Sequence, residues 1–227
     1  MRILHVSDLH LDNAMAGGPH GWFGGFDFAG HTESPEDTLV IVGDTGEHVD
    51  DTIDFLNAAA TRFRSVVAVW GNHETGSPTH ARAPNVHILD LTPDGLHIND
   101  DQRVGYVGGC LAPTDSVSLT RTERGLRRLE ASSAVERIVV VSHFVPTARI
   151  GPLIGRDIRA KCNDLLDRLA PAHVKPTTVA FGHLHIEVEV MIDGVCLVSN
   201  PRGYRKERRD RSVFRDFKEL PFPPMTP

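Results

Sequence analysis

Four apolar or β-branched residues, Thr178 to Phe181, run straight into Gly182-His-Leu-His185. An apolar run of this kind, bounded by glycine, reads as a buried strand. Alternate residues of an extended segment point the same way. His183 and His185 can therefore both face one point in space. Neutral imidazole is the commonest side-chain metal ligand. Two imidazoles are only part of a site, so the fold must bring partners to this strand end.

The chain offers those partners in a repeated pattern. Residues 2–6 read as a strand and lead to Asp8 and His10. Residues 38–42 end in Gly43-Asp44, and residues 65–70 in Gly71-Asn72-His73-Glu74. Residues 137–141 end in Ser142-His143. Any one of these histidines alone is most simply a surface or capping residue. Five of the thirteen placed directly after strands describe a site instead. In layered α/β proteins, ligands bind beyond the carboxyl ends of strands. A further strand over 103–107 closes on Gly108-Gly109, and helices are expected over about 49–63, 118–132 and 162–169. Asp193-Gly194 between apolar runs at 186–192 and 195–198 signals a hairpin.

Asp8-Leu-His10, Gly43-Asp44, Gly71-Asn-His-Glu74, His143 and Gly182-His-Leu-His185 together resemble the calcineurin-like metallophosphoesterase family, in order and in context. The resemblance spans nearly the whole chain. It implies an α/β fold, a four-layer α/β/β/α sandwich of two mixed β-sheets flanked by helices. It also implies two metal ions at the strand ends. Asp8, His10 and His185 resemble ligands of one, and Asn72, His143 and His183 ligands of the other. Asp44 resembles the bridging carboxylate. His73 resembles the catalytic residue that meets the phosphate and helps protonate the leaving group.

Elementary chemistry is consistent with that assignment. Two cations roughly 3.5–4 Å apart need a carboxylate between them, and together they turn a shared water into hydroxide near neutral pH. That hydroxide can attack phosphorus in line, so no protein nucleophile is required. Nitrogen and oxygen ligands without cysteine suit manganese, iron, zinc or nickel, and the resemblance favours manganese. Protein phosphatases of this family follow the aspartate motif with Val-Asp-Arg-Gly. Here Thr45-Gly-Glu-His48 follows Asp44. The chain is more similar to small bacterial or phage-type members, which implies phosphodiesters, including small or cyclic nucleotides, as substrates. A broad phosphomonoesterase is the alternative within the enzyme class. A scaffold that keeps the fold without chemistry is the alternative outside it, and the intact ligand set speaks against it.

Composition sets the surroundings. A chain of 227 residues, 40% hydrophobic and 24% charged, can bury a proper core. The division expected is a domain over 1–200 and an extension over 201–227, basic at first and then proline-rich. The net charge of −6 argues against a stable nucleic-acid complex. Cys110, Cys162 and Cys196 show no paired spacing. Together with the lack of a signal-like or membrane-length apolar run, this makes the expected location cytoplasmic, away from the membrane. A small phosphoester, most simply a nucleotide, is the expected partner, and a homodimer is allowed.

Three features are less determinate. Residues 11–36 form a glycine-rich connection with Trp22, Phe23, Phe26 and Phe28, read either as a substrate-facing flap carrying His20 and His31 or as a loop pinned to the core. Asn200-Pro-Arg-Gly-Tyr204 either closes the sheet as a turn or returns to the site. In the second case Arg202 holds a phosphate oxygen and Tyr204 stacks on a base. The basic stretch over 202–218 either attracts a nucleotide polymer or, as is more common, forms a solvated arm or packs on its own acidic body or on a second subunit.

Overall fold

The computed structural model describes residues 1–11, 34–169, 175–204 and 217–224. Residues 12–33 of the glycine-rich connection, with His20 and His31, lie outside the described residues, as do residues 205–216 of the basic stretch. Two mixed sheets face each other. The first has the order β11-β1-β2-β3-β4, from Lys218–Glu219, Ile3–Val6, Thr38–Val42, Ser65–Val69 and Val86–Ile88. The second has the order β5-β6-β7-β8-β10-β9. Its strands are Leu96–Asn99, Val104–Gly109, Arg137–Ser142, Thr177–Phe181, Val195–Ser199 and Val188–Ile192.

The central strands β2, β3, β7 and β8 are largely apolar because both faces are covered. In β2, Val40 and Val42 enter the core between the sheets, where they join Val67, Val69, Val139, Val141 and Ala180. Leu39 and Ile41 face the other way, into a core shared with Ile53, Leu56 and Ala59 of helix α1, Val49–Ala60. The outer face of the second sheet is covered by α2, Ser116–Ala131, and α3, Leu165–Leu169. This is the helix/sheet/sheet/helix layering that the motifs implied.

Helix ends differ from the periodicity for local reasons. The first helix stops at Ala60, and Phe63 turns in to the core beyond it. The second begins two residues earlier than the pattern suggests, because Asp115 accepts from Ser118 N at 3.0 Å as its N-cap. The third begins only at Leu165. The β9–β10 hairpin pairs Ile192 with Val195. Asp193 and Gly194 have φ of 52° and 79°, the two left-handed residues of a type I′ turn.

Residues 217–224 pack on the sandwich. Glu219 and Lys218 pair antiparallel with Leu4 and His5 of β1. Lys218 Nζ reaches across to Glu187 and Glu189, each at 2.9 Å, beside the second sheet. Leu220 and Phe222 pack into the core between the sheets. A two-residue strand therefore fastens both sheets. Among the described residues, no helix is long and apolar enough to cross a membrane.

The opposite edges of the sheets meet at two histidines. His87 of β4 and His97 of β5 stack with ring centroids 3.6 Å apart. Burial, then the neighbouring His87, push His97 down to about 4, and burial with Arg82 lowers His87. His5, fully enclosed between the sheets, is pushed down to about 3 by burial and by Lys218. The unfolded chain takes up protons at these rings near pH 6.5, and the folded chain resists. Their contribution is nil above that pH; as pH drops toward 4, stability falls by about 1.4 kcal/mol per pH unit for each of His5 and His97, and His87 acts in the same direction. Urea unfolding of His97→Phe between pH 6.5 and 4 should show a shallower decline than the parent. Parallel declines would refute the assignment.

Candidate metal centre

The strand register sets the site. Parallel pairing aligns the carboxyl ends of β1, β2 and β3 in one sheet and of β7 and β8 in the other. Loops leaving these ends are bonded to one another. Asp8 N donates to Gly43 O, His10 N to Asp44 O and Leu11 N to Thr45 O, at 2.9–3.0 Å. Across the gap between the sheets, His183 N donates to Asp8 Oδ1 at 2.9 Å. His143 Nδ1 donates to Val42 O at 3.1 Å, which leaves its Nε2 pointed at the site.

The backbone departs from the extended geometry that the His-Leu-His spacing suggested. Strand β8 ends at Phe181, and His183 and His185 have φ of 70° and 53°. Asp8, His10 and Asp44 are left-handed too, at 53°, 44° and 51°. Side-chain alternation does not operate through such residues, so His183 and His185 diverge instead of facing one point.

They enter different clusters. Asp8, His10 and His185 form one group, and Asp44, His143 and His183 another, each with ligand atoms within 4.8 Å of one another. Asn72 joins the second, its Oδ1 3.1 Å from His143 Nε2. Asp44 lies between the groups. Its Oδ2 is 3.3 Å from His143 Nε2 and 3.8 Å from His10 Nε2. The same oxygen is 4.0 Å from Nε2 of His73, whose side chain is 30% exposed and stands at the mouth.

Protonation and satisfaction of these groups fit cation binding. Burial, against the pull of Asp44 and Asp8, pushes His10 down to about 4, and burial with His143 does the same to His183. Both rings are then neutral ligands near pH 7. Burial would also depress His143, but the hydrogen bond and charge of Asp44 carry it up to about 9. That proton has to leave before the ring can ligate, so binding at this corner releases a proton. Asp8 Oδ2 is buried and has no hydrogen-bond partner among the described residues. Buried charges are paired or coordinate metals, so an oxygen in that state suits a cation. The residues present therefore fit a pair of metal ions.

Two supporting carboxylates went unassigned in the sequence. Glu74 accepts from Gly71 N at 2.7 Å, Thr45 N at 2.6 Å, Asp44 N at 3.2 Å and Thr52 Oγ1 at 3.3 Å. It ties the β2 and β3 ends together. Enclosure by those loops and the charge of Asp44 push its carboxyl up to about 7. Asp90 accepts from Trp70 N and Cys110 N, both at 2.8 Å, and joins β3 to β6 of the other sheet. Glu74 carried a signal in its place within the Gly71–Glu74 motif; Asp90 carried none.

Residues 200–204 both close the sheet and return to the site. Ser7 bridges Pro201 in parallel, and Asn200 Nδ2 donates to His5 O at 3.0 Å. Arg202 is buried, with Nη1 3.5 Å from Leu9 O. The Tyr204 ring stacks on His10, with centroids 4.1 Å apart.

A two-sheet sandwich whose strand ends gather two His/Asp clusters around one carboxylate defines a metal-dependent hydrolase of phosphoesters. The chain belongs to the calcineurin-like phosphoesterase family, whose model matches residues 1–187. That family implies a binuclear centre of divalent metal ions. A phosphopantetheinyl hydrolase from Mycobacterium tuberculosis shares the fold, with a TM-score of 0.62, 19% identity, and 96% of this chain and 95% of that chain covered. A protein of unknown function from Aquifex aeolicus matches at a TM-score of 0.35 and 19% identity, over 63% of this chain and 80% of that one. No curated protein sequence matches.

Proposed function

We propose that this protein hydrolyses phosphodiester bonds of small nucleotides or cyclic nucleotides. The observation carrying the reading is the position of Asp44, with one oxygen 3.3 Å from a histidine of one cluster and 3.8 Å from a histidine of the other. In this reading Asp8, His10 and His185 would hold one cation, Asn72, His143 and His183 would hold the other, and Asp44, close to both groups, would serve both. When bound, the two cations, manganese by preference and otherwise iron, zinc or nickel, polarise the phosphoryl oxygen and make a water nucleophilic at neutral pH. His73, partly exposed at the mouth, gives a proton to the departing oxygen. Asn72 ligates without charge, so the centre keeps its attraction for an anion.

The residues after Asp44 support the diester preference. Thr45, Gly46, Glu47 and His48 offer no guanidinium, and the Arg202 side chain is buried against Leu9 O. A singly charged diester needs less compensation than a dianionic monoester. The partner proposed is the substrate alone or with a second copy of the chain, in a reducing, cytoplasmic setting that suits three free cysteines. Residues 201–227 are proposed to extend the same unit over 1–200.

The test is side-by-side turnover, with Mn²⁺, of a 2′,3′-cyclic nucleotide, a 3′,5′-cyclic nucleotide, a chromogenic diester and a monoester. A phosphopantetheinyl ester belongs in the panel because the structural neighbour is named for that group. Diester turnover should exceed monoester turnover. Faster monoester turnover would replace this reading with a phosphomonoesterase.

A further inference from the structure

The fold holds Tyr204 over the centre by a short backbone ladder. Ser7 N donates to Asn200 O at 3.1 Å, Arg202 N to Ser7 O at 2.9 Å and Gly203 N to Asp8 O at 2.9 Å. Gly203, with φ of +67°, turns the chain so that the next side chain crosses the site. The Tyr204 ring lies 4.1 Å from His10 at an interplanar angle of 29°, and meets His185 edge-on at 4.8 Å. One face expected to carry a base is thus taken by a histidine. The Tyr204 hydroxyl lies 3.1 Å from His73 Nε2.

We propose that Tyr204 is a positioning residue for His73, fixing the ring through its hydroxyl and locking that placement to the first ligand cluster by its stack on His10. The proposal rests on the reading above in one respect, that His73 serves the leaving group. His73 needs such a tether. Its backbone N donates to Asp44 Oδ1 at 3.0 Å, but its ring is partly exposed and turns about two side-chain bonds. A phenol donates to a neutral imidazole nitrogen and accepts from a protonated one. The contact can therefore form with the ring in either protonation state. Because a displacement of about 1 Å at a reacting group costs roughly 10²-fold in rate, holding this ring has a measurable effect.

Tyr204→Phe keeps the ring and its stack and removes only the hydroxyl. With Mn²⁺ and a diester, kcat should fall about 10–100-fold and KM should stay within about twofold. The loss should deepen as the leaving group becomes more basic. In a His73→Ala background, Tyr204→Phe should change nothing further. A readout independent of turnover is ¹⁵N NMR of the full chain stripped of metal by chelation. Neutral His73 should carry its proton on Nδ1 in the parent and shift toward Nε2–H in Tyr204→Phe. Equal losses in both backgrounds, a raised KM with kcat unchanged, a raised kcat, or an unmoved tautomer would each overturn the proposal. Failure of the phosphodiesterase reading would look different, with the parent inactive on every diester while the tautomer shift persists.

Discussion

Asp44→Asn should lower kcat/KM for a diester by about 10³-fold or more, and the purified protein should hold fewer than two metal ions per chain. The substitution keeps the size of the side chain and removes its charge. Asp44 Oδ1 accepts from His73 N at 3.0 Å, so the neutral amide oxygen can still hold that turn. What goes is the negative charge at Oδ2, between His10 and His143. Two cations a few ångströms apart repel, and this carboxylate is the group placed to offset that. Metal-ion stabilisation of a phosphoryl transition state is worth several kcal/mol, and each ~1.4 kcal/mol is tenfold in rate. His143 should also lose its elevated proton affinity, because the Asp44 charge is what raises it. Diester kinetics and metal content by mass spectrometry check the first two parts, NMR titration of the metal-free protein checks the third, and circular dichroism checks that the variant is folded. A folded variant that keeps two ions and works within tenfold of the parent would refute the bridging role.

Gly71→Ala should damage the same centre through sterics alone. An added Cβ would lie 2.0 Å from Asp44 Oδ1 and 2.4 Å from Asp44 N. The clash is hard to relieve, since Asp44 N is held by Glu74 and Asp44 O by His10 N. The end of β2 or β3 must move. Forced shifts of this kind cost about 1–3 kcal/mol, or roughly 3–10 °C in Tm for a domain of this size. The displaced carboxylate should cost about 10²-fold or more in rate. Gly194→Ala is the control. It is left-handed at φ +79° with nothing within 4 Å of the added carbon, so it strains the hairpin and leaves turnover unchanged. Equal activity losses in the two variants would remove the steric account.

The legible parts of this fold were those written in short-range pattern. Each ligand-bearing strand is a mostly apolar run because both of its faces are buried, broken in β1 by His5, and each stops where the chain meets the site. Position after a strand was thus enough to single out Asp8, His10, Asp44, Asn72, His73, His143, His183 and His185 as candidates, while their separate roles came from the resemblance. Other features depend on distant partners. Glu74 binds Thr45, 29 residues earlier, and Asp90 binds Cys110 in the facing sheet; no spacing encodes either. Strand β11 is two residues long and exists because β1 offers an open edge. Spacing alone aimed His183 and His185 at one point, because it predicts direction only while the backbone stays extended; the family resemblance had already divided them between two metals. Tyr204 showed as a candidate, but its contact with His73 arises from the ladder to Ser7 and Asp8.

The left-handed backbone of Asp8, His10, Asp44, His183 and His185 also restricts how this centre can drift in evolution. Among residues with a side chain, asparagine, aspartate and histidine enter that conformation most readily, and β-branched residues least. Those same three types are good oxygen and nitrogen donors to a cation. Substitutions that spare the loops are therefore mostly exchanges of one ligand for another, which retune metal preference. Those that delete a ligand with valine or isoleucine also strain the turn that carries it. Backbone and metal thus filter mutations in the same direction, and a chain built this way changes its cation more easily than it loses its centre.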